Sequence, residues 1–179
     1  MDVLLIVDMQ CGLMEGAAKH NLSSVIEHIN ALTKEVRRRN GAVIWIRHCG
    51  TAGESFEPGT SSWAFLPELI RNEDDTIVEK SLNDGFAGTE LKRTLEELQP
   101  TRVMICGWAT DFCVDSTVRS AVSNRFPVAV VSDAHTLADR PHLSASAVKE
   151  HHHWLWQNLI SETPVQLIET KAYLEEPSR

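Results

Sequence analysis

The chain has 179 residues, 42% of them hydrophobic and 23% charged, the balance of an ordinary globular protein. A chain of this length buries roughly 70% of its unfolded surface, so a full core is available to it. A net charge of −8 with no basic face argues against nucleic acid as a partner, and no apolar run approaches the roughly 20 residues of a membrane span.

Val3-Leu-Leu-Ile-Val7 is a continuous apolar run of the kind that forms a buried parallel strand, and Asp8 stands at its carboxyl end. Met1-Asp2 leads straight into it, which predicts no signal peptide. Met9 to Leu22 reads as loop. Ser23 or Ser24 can cap a helix that runs to about Arg39, with Val25, Ile29, Leu32 and Val36 on one face and Asn40-Gly41 as its stop. Arg37-Arg38-Arg39 closes that helix, where cations complement the macrodipole. Ala42 to Ile46 is a second strand, followed by Arg47-His48-Cys49. Gly50 to Asp75 is rich in Gly, Ser, Thr and Pro, with Trp63, Phe65 and Leu66 interspersed; loops this long inside a domain are usually lids or binding loops.

Thr76 to Glu79 forms a third strand ending in Lys80. Thr89 caps a helix with Leu91, Leu95 and Leu98 inward, which ends at Pro100. Val103 to Cys106 is a fourth buried strand. Gly107 breaks it, Thr110 and Asp111 offer capping side chains, and Val114, Val118, Ala121 and Val122 recur at helical spacing. Val128 to Val131 is a fifth strand ending in Ser132-Asp133. A helix from about Ser144 to Ile160 and a last strand, Val165 to Ile168, complete residues 1–179 as one domain, without repeat, linker or low-complexity tract. Strands alternating with helices predict an α/β fold, a three-layer sandwich around a parallel sheet. No GxGxxG follows the first strand, so a dinucleotide site is disfavoured.

The polar residues collect at strand ends, where doubly wound folds place their chemistry. Asp8, Lys80 and Cys113 bring an acid, a cation and a thiol to one rim. Cys113 falls at the strand-to-helix turn, where the helix terminus and Lys80 both favour a thiolate. Asp8 can take the proton and return it to a leaving group. Such a set suits attack on a carbonyl, a thioester intermediate and hydrolysis. An ion pair of purely structural role is the alternative for Asp8 and Lys80.

Four segments resemble a known family: Leu4-Leu-Ile-Val-Asp8-Met9-Gln10, Glu79-Lys80, Phe86-Ala-Gly-Thr89-Glu-Leu91 and Gly107-Trp-Ala-Thr110-Asp-Phe-Cys113-Val114. In order and spacing they are similar to the isochorismatase-like cysteine hydrolases, over about residues 3 to 168. The resemblance implies a six-stranded, Rossmann-like parallel sheet flanked by helices, a triad of Asp8, Lys80 and Cys113, and a homo-oligomer. It also implies a cis peptide between Trp108 and Ala109 that aims the Ala109 and Cys113 amides as an oxyanion hole. Isochorismatases proper cleave a vinyl ether and generally lack the cysteine, so Cys113 points to the amidase branch. Nicotinamidases of the family hold a metal with an Asp-x-His near the second strand. Here that place reads Arg47-His48-Cys49-Gly50, so no metal and no other cofactor is expected. A small amide, imide, carbamate or ureide fits better than nicotinamide.

Gln10, His48, Phe86, Trp108 and Phe112 stand by position as walls of the substrate pocket, with Cys11 and Cys49 in loops nearby. Cys106 lies inside a strand as an inert core thiol. The four cysteines have no CxxC pair, which predicts reduced thiols in a cytoplasmic protein and leaves a redox role without a resolving cysteine. His151-His152-His153 looks like a metal tract, but consecutive helical residues point in different directions. One buried histidine with the others on the surface is the simpler reading; an oligomer interface using Trp154 and Trp156 is the other. The rival to an enzyme is a non-catalytic or regulatory module with the same fold.

Overall fold

The computed structural model describes residues 1–177. In chain order the elements are β1 (Asp2–Val7), α1 (Cys11–Met14), α2 (Leu22–Arg38), β2 (Ala42–His48), β3 (Thr76–Lys80), α3 (Leu91–Leu98) and β4 (Arg102–Trp108). A π-helical turn over Thr110–Val114 follows, then α4 (Asp115–Ser123), β5 (Val128–Thr136), α5 (Ala145–Gln157), β6 (Gln166–Ile168) and α6 (Thr170–Glu175). All six strands pair in parallel, in the order β3-β2-β1-β4-β5-β6.

Alternation along the strands divides the core into two layers. Val3, Leu5 and Val7 of β1 face one side with Leu91, Leu95, Val118, Ala121 and Trp156 from α3, α4 and α5. Leu4 and Ile6 face the other, with Val25, Ile29, Leu32 and Val36 of α2 and Tyr173 of α6. The apolar stripe of α2 is the one its sequence spacing predicts, and each such side chain contributes roughly 1.5–3 kcal/mol on full burial. This three-layer sandwich is the α/β fold expected. Among the described residues no helix is long and apolar enough to cross a membrane.

Several boundaries differ from the sequence reading. α2 starts from Asn21 in a left-handed conformation (φ 53°), not from Ser23 or Ser24. β5 runs past Val131 to Thr136, because its pairing with β4 shifts register between Ile105 and Gly107 and then resumes at His135 and Thr136. Short helices α1 and α6 were not foreseen. The three arginines end α2 as expected, paired with Glu35 and Asp75.

The strand order reverses between β1 and β4. β2 and β3 lie to one side, β5 and β6 to the other. At such a switch point the connections diverge and leave a crevice beyond the strand ends. Asp8 follows β1 there, and the turn carrying Cys113 follows β4.

Candidate active site

Two backbone features bring the first and fourth strand ends together. Asp8 sits at φ 48°, a region Asp tolerates better than most residues. Gly107, at φ 116°, passes so close to β1 that an added Cβ would stand 2.2 Å from the Val7 carbonyl oxygen. The next peptide but one, Trp108-Ala109, is cis.

Asp8, Lys80 and Cys113 converge in the crevice. The Lys80 Nζ donates to Asp8 Oδ2 at 2.6 Å and to the Leu82 carbonyl at 3.0 Å, and lies 3.4 Å from Cys113 Sγ. All three ammonium protons are thereby directed, which fixes the charge between acid and thiol. Asp8 and Lys80 are buried, and Cys113 is half-buried. Oδ1 of Asp8 is buried without a formed hydrogen bond among the described residues.

Burial raises the Asp8 carboxyl above its ordinary range, against the opposing pull of Lys80 and the Cys113 thiol. Burial pushes the Cys113 thiol up to about 12, with Asp8 adding to the rise and Lys80 opposing it. This corrects the sequence reading, which expected a depressed thiol. Removal from water and a carboxylate neighbour outweigh the single ammonium. The helix start also differs from expectation. Ala109, not Thr110 or Asp111, caps the π-turn, and no side chain caps it. Thr110 Oγ1 bonds to His135 Nδ1 at 2.8 Å instead, and Asp111 pairs with Arg140 through two 2.7 Å bonds.

The wide turn leaves a particular arrangement of amides. The Ala109 carbonyl accepts from Phe112 at 3.0 Å and from Val114 at 3.1 Å. The regular α-helical bond between them, from the Cys113 N–H to Ala109, is not among those formed by the described residues.

The expected pocket walls separate into three kinds. Half-buried His48 stands edge-on to Phe56 at 5.7 Å, its pKa lowered by burial first and then by Lys80. Trp108 precedes the turn and Phe112 lies within it, half-exposed, with the Lys19 ammonium 5.3 Å from the Trp108 ring centre and the Arg140 guanidinium 5.2 Å from that of Phe112. Gln10 and Phe86 are differently employed. Gln10 is buried, and its amide donates to the carbonyls of His48 (3.0 Å) and Trp63 (2.9 Å) while accepting from the His48 N–H (2.8 Å). It fastens the 50–65 loop to β2. Phe86 stacks on Phe126 at 6.0 Å and packs against the core.

No motif or spacing points to Asn83, whose Oδ1 lies 3.7 Å from Cys113 Sγ. Its segment is held against α4 by bonds from Gly85 to Thr117 and from Ser120 to Asp84. The loop beyond β2 runs alongside the start of α1, with Cys11 bonded to Ala64 and Gly12 to Ser62 through the backbone. Trp63 of that loop lies over the Arg47 guanidinium at 3.3 Å and donates to Cys49 Sγ at 3.1 Å. Cys11 donates to the Phe65 carbonyl, and Cys106 is buried in β4. His151 is exposed, His152 bonds the Val148 carbonyl, and His153 meets buried His135 at 2.9 Å. Trp154 is exposed, whereas Trp156 is buried in the core and donates to Asp115, so it is no interface aromatic. Among the described residues no three His, Cys, Asp or Glu side chains gather as a metal cluster.

Known proteins share this architecture. An isochorismatase from Pseudomonas putida superposes with a TM-score of 0.85 at 24% identity, over 95% of this chain and 88% of that one. N-carbamoylsarcosine amidase from Thermoplasma acidophilum gives 0.78 at 18% identity over 99% of both chains, a likeness of fold. In sequence, an isochorismatase family protein of Bacillus subtilis is 24% identical over 176 residues, 96% of this chain and 98% of its own. Streptothricin hydrolase from Streptomyces noursei is 28% identical over 142 residues, 79% of this chain and 51% of that protein. The chain thus spans about half the length of that hydrolase. Residues 2–166 match the isochorismatase domain family, and the chain belongs to it.

Proposed function

We propose that the protein is a metal-independent cysteine hydrolase that cleaves a C–N bond of a small amide, imide, carbamate or ureide. The observation that carries this reading is the Lys80 ammonium held 2.6 Å from Asp8 and 3.4 Å from Cys113, beside a buried Asp8 Oδ1 for which no hydrogen bond is formed among the described residues.

The raised thiol pKa sets the order of events. The resting nucleophile is the neutral thiol, so attack and deprotonation go together. Asp8 takes the thiol proton as Sγ bonds to the substrate carbonyl carbon, and Lys80 stabilises the negative charge passing between them. The carbonyl oxygen becomes an oxyanion, received by the amides of Ala109 and Cys113. Protonated Asp8 gives its proton to the leaving nitrogen, the C–N bond breaks, and an acyl thioester remains. Water, deprotonated by Asp8, attacks the thioester, and the released sulfur recovers its proton from Asp8. The net reaction consumes one water and yields ammonia, an amine or, from an imide, an amide, together with a carboxylic acid, a carbamic acid from a ureide, or a carbonic acid half-ester from a carbamate.

The Asp8 carboxyl suits this work because burial raises its proton affinity, narrowing its gap from the thiol it must deprotonate. A panel of amides, imides, carbamates and ureides, assayed for released ammonia or acid after exhaustive chelation, tests the reading. Turnover of one compound that survives chelation and disappears in Cys113→Ala is the expected result. Turnover that returns only on adding zinc, iron or manganese, or that persists without Cys113, would overturn it.

A further inference from the structure

The carboxyl rim of the sheet carries a second crevice beyond β5, apart from the one that holds Cys113. β6 ends at Ile168, opposite Val131, while β5 continues to Thr136. Between the start of α2, this overhang and α5 lies a groove of about 690 Å³. None of Asp8, Lys80 and Cys113 lines it.

Its walls are rich in donors. His20, His28, Lys149 and His153 line it, and all four are partly buried. The acid on its floor, Asp133, is already engaged: Oδ1 accepts from the Thr170 N–H (2.9 Å) and hydroxyl (2.8 Å), and Oδ2 lies 3.4 Å from His28 Nδ1. The remaining acids, Glu150 and Glu169, are exposed, so water can solvate their carboxylates. His28 Nδ1 is spent on the Asp133 backbone carbonyl at 2.9 Å and His20 Nε2 accepts from the Asn21 amide at 3.3 Å. The groups that remain to donate to a ligand are the Lys149 ammonium, the second ring nitrogen of His153 and the hydroxyls of Ser24 and Ser146, a setting for a small oxyanion.

A buried chain of hydrogen bonds leads from this groove to the nucleophile's turn. His153 Nε2 lies 2.9 Å from His135 Nε2, and His135 Nδ1 lies 2.8 Å from Thr110 Oγ1. Lys149 donates to the His135 carbonyl at 2.9 Å. His135 is fully buried, and burial with Lys149 beside it keeps the ring neutral. A neutral imidazole carries one proton, so two arrangements exclude each other. If His135 Nε2 accepts from His153, its Nδ1–H donates to the Thr110 hydroxyl. If Nε2 donates to His153, Nδ1 accepts from that hydroxyl.

We propose that the groove is a second binding site, for a small oxyanion of the carboxylate or phosphate class, and that His153 and His135 transmit its occupancy to Thr110 in the turn bearing Cys113. With Nε2 committed to His135, Nδ1 is the nitrogen His153 can offer a ligand. An anion there selects the Nδ1–H tautomer of His153. Nε2 then accepts from His135, and the Thr110 hydroxyl becomes a donor to His135. Thr110 is three residues before Cys113 and adjoins Ala109, whose carbonyl organises the turn. The inference stands apart from the hydrolase reading, since neither binding nor its readout requires a substrate.

The test follows the imidazole nitrogens of the ¹⁵N-labelled full chain by NMR during separate titrations with inorganic phosphate and with acetate, at constant neutral pH and ionic strength. The His153 and His135 rings should shift together on one saturating curve, His153 towards Nδ1–H, and whichever anion saturates identifies the ligand class. Iodoacetamide labelling of Cys113 should change by about fivefold or more along the same curve. Lys149→Gln should move the midpoint about tenfold or more to higher anion concentration. Thr110→Val should keep the His153 shift and lose the labelling response. Absence of a saturating His153 shift with either anion overturns the proposal, and that wild-type result stands however the variants fold. A His153 shift without a labelling response also overturns it, as does a labelling response whose midpoint Lys149→Gln leaves unchanged, because the anion then acts at Cys113 itself.

Discussion

Asp8 and Lys80 meet across the end of β2. Their charged atoms lie 2.6 Å apart, and the side chains are 1% and 0% exposed. The two strands that carry them are not neighbours in the sheet, since β2 separates β1 from β3. A dry ion pair with this geometry is poor evidence for stability, because removing both charges from water offsets most of their attraction. Deleting one partner is another matter, because it strands the other.

Asp8→Asn therefore has two expected effects. Turnover should fall by about 10²–10⁴-fold, since the amide cannot accept the thiol proton. Stability should fall by about 3–5 kcal/mol, because the Lys80 ammonium stays buried beside a neutral group. Cys113→Ala keeps the ion pair and should stay within about 1–2 kcal/mol of the wild type while losing all turnover. Denaturant melts alongside the amide assay separate these cases. Near-wild-type turnover in Asp8→Asn would remove Asp8 as the base.

The raised pKa values fix the pH behaviour. Asp8 works as a base only when ionised, so kcat/KM should fall as pH drops through its folded-state pKa, which lies above the ordinary aspartate value of about 3.9. Alkylation reads the thiol separately. With the Cys113 pKa pushed up to about 12, its thiolate fraction is small at neutral pH. Iodoacetamide labelling of Cys113 in the free enzyme should then climb roughly tenfold per pH unit between neutral and pH ~10. Cys106, buried in β4, should stay unlabelled in the folded protein. A plateau in Cys113 labelling near neutrality, read by peptide mapping, would instead show a preformed thiolate.

Much of this was legible in the chain because burial writes itself into apolar runs. Val3–Val7 and Val103–Cys106 face core on both sides of the sheet and read as strands without ambiguity. Asp8 and the turn bearing Cys113 stand out because they follow such runs, and Lys80 because it ends the shorter, partly exposed third strand. The thiol's proton affinity is not legible in the chain, because sequence shows Lys80 and a helix start but not the depth of burial. From sequence the fifth strand reads as ending in Ser132-Asp133, because those polar residues break the apolar run. The register shift between Ile105 and Gly107, and the renewed pairing of Gly107 with His135 and of Trp108 with Thr136, carry the strand on to Thr136. Gln10 was assigned to the pocket by its place after Asp8, and only the loop it fastens reveals its partners.

Gly107 sets the approach of β1 to β4. Its φ of 116° is one that residues with side chains rarely adopt, and a Cβ would meet Val7 backbone atoms at 2.2 and 2.7 Å. Backbone cannot turn aside as a flexible side chain can. Gly107→Ala should destabilise the protein by about 3 kcal/mol or more and separate Asp8 from Cys113. A melt within 1 kcal/mol of the wild type, with full turnover, would show that this crossing is looser than the structure has it.

Gln10→Leu decides between two roles for one buried side chain. Leucine keeps much of the volume but leaves the His48 N–H and the carbonyls of His48 and Trp63 without the partners they now have. Buried groups orphaned in this way cost about 1–3 kcal/mol each, less where water reaches them, so a loss of about 2–4 kcal/mol is expected. The backbone bonds Cys11–Ala64 and Gly12–Ser62 remain, so the loop should loosen at Trp63 and stay attached. Limited proteolysis should cut faster between residues 50 and 62, and KM should rise more than kcat falls, because the loop's hold on the His48 side of the crevice weakens. If KM rises while proteolysis and melting stay as in the wild type, Gln10 contacts the substrate itself, and the pocket-wall role read from its position is the correct one.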